Sequence, residues 1–193
     1  MLFFLTGNIQ TGKTRWLQNL VLLLESKGVV CCGVMAPGIW KEENSVFEKL
    51  GIENELLPQH ERIPFAMRRD LVAEDSSSQS AKAKLGWQID DTAIDRVNEH
   101  LSDVSASAPK GSLLIVDELG QLELLRGGGL TGAIELLKRG ETEQFPNAII
   151  IVRDWLLDDA MELFGEKWSK SARIFPNDEA REQIFSAVYA LLP

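Results

Sequence analysis

The sequence predicts a three-layer α/β fold, with helices on both faces of a mostly parallel, five-stranded sheet. Three observations carry this reading. Short β-prone apolar runs, Met1–Leu5, Val29–Met35, Leu113–Val116 and Ala148–Val152, alternate with amphipathic segments, and a last short run follows at Arg173–Phe175. The longer runs are apolar throughout, as strands covered on both faces must be. The segments between them carry apolar residues at helical spacing, so crossover helices link parallel strands.

The first strand, Met1–Leu5, leads into Gly7-Asn8-Ile9-Gln10-Thr11-Gly12-Lys13-Thr14 and then into a helix from Arg15 to Lys27. Strand, glycine loop and helix in that order form a phosphate-binding loop. Its backbone N–H groups make a concave nest, and the helix start adds unpaired N–H groups and the positive end of its dipole. Gly7 and Gly12 permit tight turns and close approach, because no Cβ intervenes. The expected ligand set is Gly7, Asn8, Ile9, Gln10, Thr11, Gly12, Lys13, Thr14 and Arg15. Lys13 is placed for the β- and γ-phosphates and Thr14 for Mg²⁺.

The helix buries Trp16, Leu17, Leu20, Val21 and Leu24 on one face, and Gly28 caps it. Val29–Met35 is the second strand, ended by a turn at Ala36-Pro37-Gly38. Ile39 to Asp70 breaks into short apolar stretches that predict one or two inserted β-hairpins. Trp40 and Phe47 within it read as packing aromatics, with stacking on a base as the alternative. Val72 to Lys84, with its run Asp75-Ser76-Ser77-Ser78-Gln79-Ser80, reads as a mobile loop. Asp90 or Asp91 caps a helix striped with Ile94, Val97, Leu101 and Val104. Arg126-Gly127-Gly128-Gly129 links to another helix through Leu137, and a short helix spans Trp155 to Phe164. Asn177 caps a closing helix that includes Leu191 and Leu192. The whole is read as one domain, residues 1–193, with 39–84 as the inserted region.

The 193 residues suffice for one substantial core. A formal charge of −9 disfavours nonspecific nucleic-acid binding, which needs Lys and Arg against phosphate. No apolar run approaches the ~20 residues that cross a bilayer, so no membrane association is expected. The two cysteines, Cys31 and Cys32, are adjacent on a strand and point to opposite faces, which suits buried thiols in a reducing cytoplasm.

In a doubly covered sheet, ligands gather beyond the carboxyl ends of the strands. Gly7, Asp117 and Arg153 all follow such ends. Asp117 suits a Mg²⁺ site, and Glu118 is placed to deprotonate an attacking water, with Glu123 a rival for that role. Arg153 can neutralise charge on the γ-phosphate. His60, Arg62, Arg68 and Arg69 read either as a substrate-phosphate cluster or as solvated charges.

Gly7–Thr14, Val34–Pro37 and Ile115-Val116-Asp117-Glu118-Leu119-Gly120-Gln121-Leu122-Glu123-Leu124 resemble the small P-loop nucleoside-triphosphatases first recognised in thermophiles. The resemblance covers most of the chain. It implies a RecA-like core and Mg²⁺-dependent hydrolysis of ATP, GTP and other nucleoside triphosphates. Ile39–Asp70 departs from the family's glycine-rich hairpin pattern. Two alternatives stay open: a phosphotransferase using Arg62, Arg68 or Arg69, and a nucleotide-gated module acting on a protein partner.

Overall fold

The structure is a computed structural model that describes residues 1–7, 11–43, 46–73 and 75–190, without the Glu118 side chain. Asn8, Ile9 and Gln10 of the phosphate loop, and Leu191 and Leu192 of the closing helix, lie outside the described residues.

Among the described residues, nine strands make one sheet. They are β1 (Leu2–Leu5), β2 (Cys31–Met35), β3 (Gly38–Glu43), β4 (Val46–Leu57), β5 (Glu61–Arg68), β6 (Trp87–Ile89), β7 (Leu113–Leu119), β8 (Asn147–Val152) and β9 (Ser171–Ile174). The order is β6-β5-β4-β2-β7-β8-β1-β9, with β3 also on β4. β2, β7, β8, β1 and β9 are mutually parallel, as predicted. β8 lies between the glycine-loop strand β1 and the Asp117 strand β7.

Alternation along these strands sorts side chains into two layers. Phe3, Leu5, Cys31, Ile149 and Ile151 pack with α1 (Lys13–Glu25) and α7 (Asp178–Tyr189). Leu2, Phe4, Cys32, Ala148 and Ile150 pack on the opposite face. There they meet α3 (Asp91–Ser107), α5 (Thr131–Arg139) and α6 (Leu157–Phe164). The predicted stripes hold: Leu17, Leu20, Val21 and Leu24 of α1 are buried, as are Ile94, Val97, Leu101 and Val104 of α3. Trp16 is half-buried against the α1 layer. Gly28 (φ 84°) closes the α1 turn, Val29 N–H reaching back to Leu24 C=O at 3.1 Å. Cys31 and Cys32 are buried free thiols on opposite faces, and burial pushes both upward in pKa.

The inserted region departs from expectation in three ways. Ala36-Pro37 interrupts the chain without reversing it. β2 and β3 both pair antiparallel with the long strand β4, one after the other. Pro37, which has no N–H, falls in the gap between them. Trp40 and Phe47 are 46% and 65% exposed, not packed, because the β3–β4 arm projects beyond the helical layers. The serine run is also not a simple loop. Ser78 caps a short helix, α2 (Gln79–Lys82), by accepting from Ala81 N–H, and buried Ser80 Oγ accepts Ile89 N–H of β6 at 3.0 Å. Hydroxyl bonds order this stretch where apolar surface is lacking.

Candidate active site

The site forms where β1, β8 and β7 end together. Register pairs Leu5 with Ile151, and Ile150 with Val116, so Asp117 lies level with Leu5 two strands away. At the usual strand spacing that separation is about 10 Å. Gly12 (φ 79°) starts α1, so the helix's first N–H groups face the loop. Lys13 Nζ folds back over the loop and donates to Gly7 C=O at 2.7 Å. Thr6, the last residue before the loop, is buried and donates through Oγ1 to Asp154 Oδ1 at 2.5 Å. Asp154 in turn sits 3.5 Å from the Arg173 guanidinium. The loop's root is thereby tied to the ends of β8 and β9.

Asp117 is 2% exposed, and its Oδ2 accepts the Ala36 N–H at 3.0 Å. Its strand carries a β-bulge. Val116 pairs with Ile150 and Leu119 with Val152, so two residues of β7 stand against one of β8. Those two are Asp117 and Glu118. The bulge also reverses the alternation. Leu113 and Ile115 face the α1 layer, yet odd-numbered Leu119 packs with Leu114 and Val116 on the α3 side. Bulges re-aim side chains in this way beside active sites.

Glu123 lies not in a loop but in the first turn of α4 (Gln121–Arg126). Its carboxylate accepts Gly120 N–H at 2.9 Å and Leu130 N–H at 3.2 Å, clasping the loop that follows to the start of this helix. Arg153 follows β8 and, with Asp117 and Glu123, lines a cavity of about 190 Å³ that runs toward β4, β5 and β6. Nothing in the sequence pattern announces this cavity. Its far wall comes from Asn54, Phe65 and Trp87; the first two read as ordinary hairpin residues, and Trp87 carries no pattern of its own.

The basic group is dispersed. His60 bonds Glu55 and Glu25, and Arg62 bonds Glu55, at the β4–β5 turn. Arg68 pairs with Asp70 and Glu48 at the other end of β5, and Arg69 donates to Leu85 C=O and Gln88. These side chains do not converge on the loop, and the phosphotransfer alternative is left without the arginines assigned to it.

The donors near the strand ends fit a small hard cation. Asp117 offers a buried carboxylate and Thr14 a hydroxyl, both hard oxygen ligands. Among the described residues no trio of His, Cys, Asp or Glu is grouped to hold a metal alone. An ion here would complete its shell from nucleotide phosphates and water, as Mg²⁺ prefers.

A glycine loop between β1 and α1, with an acidic strand end two strands away, defines a P-loop nucleotide-binding protein. The sequence model of the NTPase family matches residues 2–135, and the chain belongs to that family; it is a nucleoside-triphosphatase. The fold is similar to that of a human cancer-related nucleoside triphosphatase solved in solution, with TM-score 0.65 and 16% identity over 99% of this chain and 98% of that one. It is also similar to the crystal structure of THEP1 from the hyperthermophile Aquifex aeolicus, with TM-score 0.58 and 17% identity over 100% and 99% of the two chains. No curated protein matches. Among the described residues, no helix is long and apolar enough to cross a membrane.

Proposed function

We propose that this NTPase is Mg²⁺-dependent and hydrolyses ATP, GTP and related triphosphates to the diphosphate and phosphate. The observation that carries the reading is the β7 bulge, which sets Asp117 and Glu118 side by side at the sheet end level with the loop strand. In this reading the loop N–H groups from Gly7 to Thr14 and Arg15 hold the phosphates. Lys13 leaves Gly7 C=O for the β- and γ-phosphate oxygens. Thr14 and Asp117 hold Mg²⁺, which when bound offsets the charge on those oxygens. Glu118 takes a proton from water as its oxygen attacks the γ-phosphorus, and the bond to the β-phosphate oxygen breaks. Arg153 offsets charge building on the γ-phosphate. The clasped geometry of Glu123 supports Glu118 over it as the base. Buried free thiols support a cytoplasmic location.

The test is phosphate release across ATP, GTP, CTP, UTP and their deoxy forms, with Mg²⁺ and with chelator. Release from several triphosphates only with Mg²⁺ is expected. Equal release under chelation would remove the metal from the reading, and release from a single base would remove the breadth.

A further inference from the structure

We propose that the cavity beside Asp117 is a second ligand site, built for a flat heteroaromatic ring of nucleobase size. At about 190 Å³ it exceeds the ~150 Å³ apolar cavity known to take up benzene, so one or two fused rings fit. Phe65, Trp87 and Trp155 supply aromatic surface, and ring-on-ring stacking adds to simple burial. Trp155 is 53% exposed, so the cavity opens at its edge.

Asn54 makes the site specific. It is 1% exposed, it lines the cavity, and its side-chain Nδ2 has no hydrogen-bond partner among the described residues. Buried amide donors are almost always satisfied, and leaving one unmet is costly. Nδ2 presents under 1 Å² of surface, so a ring bearing a carbonyl or a bare ring nitrogen would meet it once the amide turns toward the cavity; a plain hydrocarbon would not. Aromatic walls with one buried donor are the recognition pattern of small heterocycle pockets.

The site is not placed for the base of the hydrolysed nucleotide. On the phosphate-loop reading, Lys13 grips the β- and γ-phosphates, and the γ end faces Asp117. The nucleoside then leaves the loop in the opposite direction, away from β4, β5 and β6. The ring therefore belongs to a second molecule, seated on the γ side where water must approach. Its binding leaves the triphosphate in place.

Calorimetric titration of adenosine, guanosine, cytidine and uridine tests this, using the protein alone and the protein loaded with a non-hydrolysable triphosphate analogue. The expected result is one-to-one binding of at least one nucleoside, with affinity within threefold in the two states. Asn54→Leu and Trp155→Ala should each weaken it tenfold or more while leaving analogue affinity within twofold. Lys13→Ala should abolish analogue binding and spare nucleoside binding, so the two readings fail separately. Displacement of the nucleoside by the analogue would overturn the proposal, and so would the absence of saturable binding by all four.

Discussion

Asp117 Oδ2 accepts the backbone N–H of Ala36, 3.0 Å away, at the gap where β2 gives way to β3. The gap lacks a ladder partner for that buried N–H, and the carboxylate supplies one. One side chain thus both completes the sheet and stands at the sheet end, level with the loop strand. Asp117→Asn keeps an acceptor oxygen but removes the charge. It should cut phosphate release by about 100-fold or more while shifting the melting temperature by no more than about 2 °C. Asp117→Ala orphans the Ala36 N–H at a cost of ~1–3 kcal/mol, or about 3–10 °C in a chain of this size. Calorimetric melting of both variants decides the matter: equal losses would mean the hydrogen bond is immaterial.

Lys13 and Glu118 separate binding from chemistry. Lys13→Ala removes a side chain that folds over the loop backbone. It should abolish analogue binding in the titration assay. Glu118→Gln should leave analogue affinity within about threefold while lowering turnover by roughly 100-fold or more, the scale of general-base loss. If Glu123→Gln alone gave that pattern, the base would be Glu123.

Gly33 sits mid-strand in β2 with φ 119°, and a Cβ built there would lie 2.1 Å from the Ile115 carbonyl oxygen of β7. Neither backbone can yield without parting two central strands. Gly33→Ala should therefore cost more than about 3 kcal/mol, in the range reserved for core disruption. Urea unfolding measures it, and a loss below about 1 kcal/mol would refute the strain.

His60 ties the β4–β5 turn to α1, its Nδ1 2.7 Å from Glu55 and its Nε2 3.1 Å from Glu25. The hydrogen bond to Glu55, above all, raises the imidazole pKa over its ordinary value near 6.5. A raised histidine stabilises the fold fully below its unfolded pKa and loses that contribution as pH rises through the folded one. His60→Gln should thus lower the melting temperature more at pH 5.5 than at pH 8.5. The difference should be only a few degrees, since a partly exposed pair contributes at most ~1 kcal/mol. An unchanged difference between the two pH values would show that the pair contributes nothing.

The parallel core was legible because its signals are local and redundant. Continuous apolar runs such as Ala148–Val152, and stripes such as Ile94, Val97, Leu101 and Val104, carry strand and helix periods in their own spacing. The loop Gly7–Thr14 and the pair Asp117-Glu118 announce themselves in the same way. What stayed hidden depends on partners far along the chain. Strand β6 has three residues and exists because β5 offers an edge and Ser80 an acceptor. Helix α4 is six residues long and is held by Glu123, whose role shows only once Gly120 and Leu130 are brought together. The exposure of Trp40 and Phe47 reflects an arm reaching past the layers, which composition does not encode.

The bulge in β7 makes spacing as consequential as chemistry. Because it adds one residue between Val116 and Leu119, Leu119 faces the side of the sheet opposite to Leu113 and Ile115. Deleting a single residue there would restore plain alternation and swing Leu119 out of the layer it shares with Leu130, dragging the start of α4 with it. Substitutions at 117 or 118 change what the site can do. A shortened count would change where Leu119 and the start of α4 go, so this stretch should tolerate conservative exchanges far better than any loss of length.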